Sequence, residues 1–136
     1  MNFLLDTCVI SELMKRTQHP GVMRWLDAQA SHSLFLSALT LGELEQGIEQ
    51  LPVGERRRAY ERIARHALTA RFAGRILPVD IHVAGSWGTF SGRCKQTLPV
   101  VDGLIAATAR VHRLTVVTRN VADFRRFRVP VFNPWK

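Results

Sequence analysis

Short apolar runs of strand length alternate along this chain with segments whose apolar residues recur every three or four positions, and this alternation constrains the fold more than any other feature. NFLLD at the start, residues 33–38 (SLFLSA), 75–79 (RILPV) and 114–118 (LTVVT) read as strands. Residues 129–132 read as a short last strand that Pro130 confines to a sheet edge. Helical spacing follows the first strand in TCVISELM, through Val9, Ile10, Leu13 and Met14, and returns around Trp25 and Leu26. A third helix is expected to start at Thr40, with Leu41, Leu44, Ile48 and Leu51 as its apolar stripe. Pro52 and Gly54 separate it from a polar helix running from Glu55 to about Leu68. A helix from Ile81 to about Arg93 comes next. Pro99 then suits the first turn of a helix, VVDGLIAATARV, that is apolar nearly all round and therefore expected to be buried. Residues 120–127 read as irregular or as a single turn.

Strands alternating with helices imply an α/β fold with a central parallel sheet covered on both faces. In such a sheet ligands bind outside the carboxyl ends of the strands, at the point where the strand order reverses. Functional residues are therefore expected at Asp6, at 37–43, at 101–103 and at 118–123. A chain of 136 residues has room for one domain and can bury a sufficient core of its own.

Three acids stand where charge is costly. Asp6 lies in LLDT, Glu43 in LTLGEL and Asp102 in VVDGLIAA, each inside a segment that the pattern buries or half-buries. A buried carboxylate without a partner protonates, finds a cation or binds a metal. Local roles exist for each: Asp6 as the N-cap of the helix after it, Glu43 in a T-x-x-E capping box with Thr40, and Asp102 in a first helical turn where negative charge suits the dipole. All three nevertheless converge on the carboxyl edge of the inferred sheet.

Oxygen ligands without His or Cys select hard cations such as Mg²⁺ or Mn²⁺. None of the five histidines has ligand spacing, which argues against zinc. The net charge of +8 is almost entirely arginine, since Lys15, Lys95 and Lys136 are the only lysines, and it points to a polyanionic partner. Carboxylates gathered around Mg²⁺ in a basic protein point to phosphodiester chemistry. Cys8 and Cys94 form no CxxC pair, so neither a disulfide scaffold nor a thiolate metal site is expected, and a reducing cytoplasm fits. No stretch approaches the roughly 18 apolar residues of a membrane span.

Four separated motifs carry a family resemblance: LLDTCVISEL, SALTLGELEQGI, VVDGLIAATARVHRLTVVTRNVADF and the closing FNPW. In order and spacing they resemble a PIN domain of the VapC/FitB kind over nearly the whole chain, a single domain spanning 1–136. The resemblance implies a three-layer α/β/α fold and a Mg²⁺- or Mn²⁺-dependent ribonuclease, the toxin of a type II toxin–antitoxin pair. It places the family's acids on Asp6, Glu43 and Asp102, with Asp6 and Asp102 holding the metal and Glu43 binding it or orienting the attacking water. The fourth position falls on Asn120, where some relatives carry Asp, and Asp123 is an alternative for that role. Thr7, Ser37, Thr118 and Asp123 are candidates to line the site. The implied partners are an RNA substrate, a VapB-like antitoxin whose C-terminal segment covers the groove, and a second copy in a homodimer.

Two other classes fit parts of the pattern. A receiver-like phosphoacceptor also gathers acids around Mg²⁺ but wants a lysine at a late strand end, and the three lysines are poorly placed for it. A catalytically silent RNA-binding module draws support only from Asn120. Arg56, Arg57, Arg58, Arg62 and Arg65 on the polar helix read as a solvated face. Arg125, Arg126 and Arg128 follow the site and are better placed to meet phosphate. Trp25, Trp87 and Phe90 sit at helical spacing with other apolar residues, as packing side chains do.

Overall fold

The computed structural model describes residues 1–136. Five strands, β1 (Phe3–Leu5), β2 (Leu34–Ser37), β3 (Ile76–Leu77), β4 (Thr115–Val117) and β5 (Val131–Phe132), form one sheet in the order β3-β2-β1-β4-β5. Every pairing is parallel, with Leu4 beside Phe35 on one side and Val116 on the other. The helices are α1 (Thr7–Leu13), α2 (Pro20–Asp27), α3 (Ala38–Glu49), α4 (Glu55–Arg62), α5 (Leu68–Arg71), α6 (Ile81–Arg93), α7 (Val100–His112) and α8 (Val121–Arg125). None is long and apolar enough to cross a membrane.

The side-chain period of two sorts the strand residues into two cores. Phe3, Leu5, Leu34, Leu36 and Val117 pack under α1, α2, α3 and α5, whereas Leu4, Val116 and Phe35 pack against Ile105, Ala106 and Ala109 of α7 and Phe124 of α8. The result is the expected α/β/α layering. The chain steps outward from β1 to β2 and β3, then crosses the opposite face through α6 and α7 to reach β4 on the far side of β1. The strand order therefore reverses between β1 and β4, the place at whose carboxyl ends sheets of this kind bind ligands.

Several local expectations need correction. Helix α3 starts at Ala38, not Thr40, because the Ser37 hydroxyl accepts from the Leu39 amide and caps it. The helix beginning at Glu55 does not stop near Leu68. It continues through a wider turn at Ile63–Ala67 into α5 and ends at Arg71. Helix α7 is not buried all round, since Val100 and Val101 are exposed while Gly103 and Ile105–Ala109 are covered. Pro99 stands at its cap, one position earlier than a first-turn residue.

Candidate active site

Asp6 follows β1 directly, and its amide continues the ladder by donating to the Val117 carbonyl at 2.9 Å. That bond fixes the residue at the carboxyl ends of β1 and β4. The residue occupies the N-cap position of α1, yet its side chain makes no capping bond. Oδ2 instead accepts from the Thr118 hydroxyl at 2.8 Å and from Cys8 Sγ at 3.3 Å. With 5% of its surface exposed, Asp6 is the only buried residue among the three expected acids.

Thr118 is fully buried at the end of β4 and works in both directions. Its oxygen accepts from the Asn120 amide at 2.9 Å while its proton goes to Asp6. Asn120 is thereby held by its backbone at the end of β4, and its exposed side chain makes no capping bond to α8. Glu43 lies one and a half turns into α3 and does not return to the Thr40 amide, so the capping box is absent. Its Oε1 accepts from the Thr7 hydroxyl at 2.6 Å, which ties α3 to the first turn of α1. Thr7 also lies 3.3 Å from the buried hydroxyl of Thr40.

Asp102 sits in the first turn of α7, half-buried. Burial raises its pKa first, and the charges of Asp6, Glu43 and Asp123 raise it further, against an opposing contribution from Arg126. Three other carboxylates thus act on Asp102 against one guanidinium. Asp123, in the first turn of α8, is exposed and pairs with Arg126 at 3.6 Å. Of the candidates for lining the site, Thr7 and Thr118 hydrogen-bond acids of the cluster and Asp123 acts on it through charge. Ser37 is used up in capping α3.

Two residues outside the sequence candidates stand near this region, Cys8 and Glu12. Cys8 is half-buried beside Asp6, and burial together with that carboxylate pushes its pKa up to about 11, so the thiol stays neutral and donates. Glu12 is 4% exposed, an acid covered by the fold. It lies three residues after Val9, on the buried side of α1, and that spacing was the available signal. Lys15 Nζ at 3.1 Å, the His19 amide at 3.2 Å and the Trp135 indole at 3.3 Å satisfy it. Glu12 fastens the closing FNPW segment to α1 and takes no part in the acid cluster.

The donor set of the cluster is carboxylate and hydroxyl oxygen, which suits a hard divalent cation. No three His, Cys, Asp or Glu side chains stand close enough together to enclose one by themselves. A cation here therefore needs water to complete its shell, as Mg²⁺ commonly does.

The PIN domain family matches residues 3–130. The chain belongs to the PIN domain family. This PIN domain is 37% identical over 136 residues to the VapC ribonuclease Y4jK of Sinorhizobium fredii, with 98% of the chain and 97% of that protein aligned. It is 38% identical over 135 residues to the toxin FitB of Neisseria gonorrhoeae, with 97% of each aligned. The solved structure of FitAcB from the same organism superimposes with a TM-score of 0.88, covering 98% of both chains. A toxin–antitoxin complex from Klebsiella pneumoniae contains a chain 26% identical to this PIN domain, with a TM-score of 0.74 and 98% of each chain covered. Membership in the PIN family removes the receiver-like alternative.

Proposed function

We propose that this PIN domain, acting as one domain over 1–136, is a Mg²⁺- or Mn²⁺-dependent endoribonuclease and the toxin of a toxin–antitoxin pair. The observation that carries the reading is Asp102, whose carboxyl is destabilised as an anion by burial and by Asp6, Glu43 and Asp123 together, in a chain whose net charge is +8. A site built to hold excess negative charge inside a basic protein is built for a cation and a polyanion. Its relatives' names, a VapC ribonuclease and the toxin FitB, point the same way.

Asp6 and Asp102 hold the cation. When bound, the cation lowers the pKa of a water and neutralises charge developing on the phosphate. Thr118 and Cys8 keep the Asp6 carboxylate oriented by donating to Oδ2. Thr7 fixes Glu43 through Oε1, and Glu43 orients the attacking water and accepts its proton. The water oxygen bonds to phosphorus in line with the P–O bond that breaks, and the released strand leaves with the bridging oxygen. Asn120, anchored through its amide, presents its side chain to a further water at the site.

The protein works in the cytoplasm as a homodimer, restrained by a VapB-like antitoxin whose C-terminal segment covers the acid cluster. An antitoxin arginine among these carboxylates can replace the positive charge that the cluster lacks. The deciding experiment incubates purified protein with labelled RNA in Mg²⁺, in Mn²⁺ and in EDTA, beside Asp102→Asn. Cleavage restricted to the wild type with metal is the expected result; equal cleavage by the variant, or in EDTA, overturns it.

A further inference from the structure

Two groups of arginines differ sharply in their electrostatic surroundings. Those of α4 and its continuation that bond acids are neutralised where they lie: Arg57 binds Glu49 and Glu61, and Arg65 binds Glu45 and Glu61. A second group, Arg93, Arg110, Arg126 and Arg128, surrounds a cavity of about 540 Å³ between α6, the end of α7 and the segment after α8. No carboxylate lines it, and only Arg126 has an acidic partner, Asp123. Ser86 and Thr89 add hydroxyls to the wall.

The cavity is organised around Arg110. Its guanidinium donates to Ser86 Oγ at 3.0 Å and to the Phe127 carbonyl at 2.6 Å, and lies 4.9 Å from the centre of the Phe90 ring. Like charges crowded without acids are unfavourable unless an anion joins them, and here one of them is locked in place before any anion arrives. Arg128 carries a left-handed backbone, φ 56°, an uncommon conformation for a side chain of this size.

We infer that this four-arginine cavity is a binding site for the phosphodiester backbone of single-stranded RNA, beside the acid cluster and continuous with it through Arg126. The inference rests on the ribonuclease reading and adds to it a place for substrate away from the reacting phosphate. Arg126 belongs to both regions: it lines the cavity, and its charge is felt at Asp102. Asp102 and Arg110 are eight residues apart on α7, about 12 Å along its axis at 1.5 Å per residue. The acid cluster repels a polyanion, so a strand whose phosphate enters it needs positive charge close on one side. Guanidinium forks with neighbouring hydroxyls match phosphate oxygens, and the 2′-hydroxyls of RNA can use the same partners.

The test measures binding and cleavage separately. Fluorescence anisotropy in EDTA follows a labelled single-stranded RNA of about a dozen nucleotides on wild type, on Arg93→Gln/Arg128→Asn, and on Arg16→Gln/Arg24→Gln, which removes equal charge from the opposite layer. Asn is chosen because it tolerates the left-handed backbone. The cavity variant is expected to bind about tenfold or more weakly, with a salt slope lower by about 1.4 for two lost phosphate contacts. The control stays within about twofold. Wild-type affinity in the cavity variant, or an equal loss in the control, overturns the inference. Cleavage of RNA by a wild type whose cavity variant binds normally refutes the cavity and leaves the ribonuclease reading standing. Weakened binding in the cavity variant, with no wild-type cleavage in either metal, supports the cavity and refutes the ribonuclease. Loss of polyglutamate binding with RNA binding retained assigns the cavity to an acidic protein and overturns the proposal.

Discussion

The hydroxyl of Thr118 donates to Oδ2 of Asp6 at 2.8 Å while accepting from the Asn120 amide, so one buried side chain joins the end of β4 to the acid that follows β1. Thr118→Val keeps the shape and removes both bonds. Leaving the Asn120 amide without its acceptor, and Asp6 Oδ2 with only the weak Cys8 thiol donor, costs about 1–3 kcal/mol of stability. Cleavage should fall at least tenfold because Asp6 loses its orientation. Thr118→Ser should restore most of both, as read by urea denaturation and RNA cleavage; equal activity in Thr118→Val and wild type would show that the bond only braces the fold.

Asp6→Asn, Glu43→Gln and Asp102→Asn remove charge without opening a cavity, and each should abolish RNA cleavage with an unchanged circular dichroism spectrum. Asp102→Asn should also be at least as stable as wild type in EDTA, because it relieves repulsion from Asp6, Glu43 and Asp123. A variant that unfolds while its folded fraction keeps full activity would return Asp102 to a purely structural role at the helix N-terminus.

Asn120 and Asp123 divide the fourth position between them. Asn120→Asp adds a carboxylate at the end of β4 and should tighten Mn²⁺ binding severalfold in titration calorimetry. Asp123→Asn removes a charge that reaches Asp102 and frees Arg126, so it should weaken binding by a smaller factor. A large loss in Asp123→Asn beside an unchanged Asn120→Asp would assign the position to Asp123.

Glu12 makes stability depend on pH. Burial pushes its pKa up, but the bonds from Lys15, the His19 amide and Trp135 outweigh that and hold it below the ordinary range. A carboxyl with a lower pKa folded than unfolded contributes stability above its unfolded value of about 4.3, and loses it as pH falls through the folded value. Glu12→Gln should cost about 1–3 kcal/mol at pH 7. Its denaturation midpoint should change less than that of wild type between pH 5 and pH 3, and parallel pH curves would contradict this role.

Gly103, next to Asp102, faces Trp87 and Phe127. A Cβ there would lie 3.1 Å from the indole and 3.2 Å from the phenyl ring. Gly103→Ala gains about 0.5–1 kcal/mol in helix propensity and loses about 1–3 kcal/mol to crowding. A net loss near 1 kcal/mol is expected, with slower cleavage as α7 shifts under Asp102. Unchanged denaturation and turnover would show that the two rings yield freely.

The strands, the layering and the edge position of β5 were legible because a period of two or of 3.6 reports which face of an element is covered. Asp6, Glu43 and Asp102 stood out by the same logic, as charges inside segments that the period buries. The reading failed where a side chain's partner lies outside its own turn. Thr40 and Glu43 have capping-box spacing, yet Ser37 caps the helix and Glu43 turns to Thr7, 36 residues away. Glu12 did not stand out because the indole that bonds it comes from position 135, 123 residues later.

The arginines divide along the same line. Their number and the net charge of +8 are properties of the sequence and favour polyanions over other partners. Which of them are already neutralised is a property of the fold, since α3 brings Glu45 and Glu49 against the helix that begins at Glu55, whereas no acid lines the space between α6 and the segment after α8. Periodicity is local, so the sequence alone determined the order of strands and helices, most of their buried faces and three acids set inside them. Hydrogen bonds and charge pairs are short-ranged in space but unrestricted along the chain, so only the tertiary structure decided which hydroxyl holds which acid and which arginines remain for a ligand.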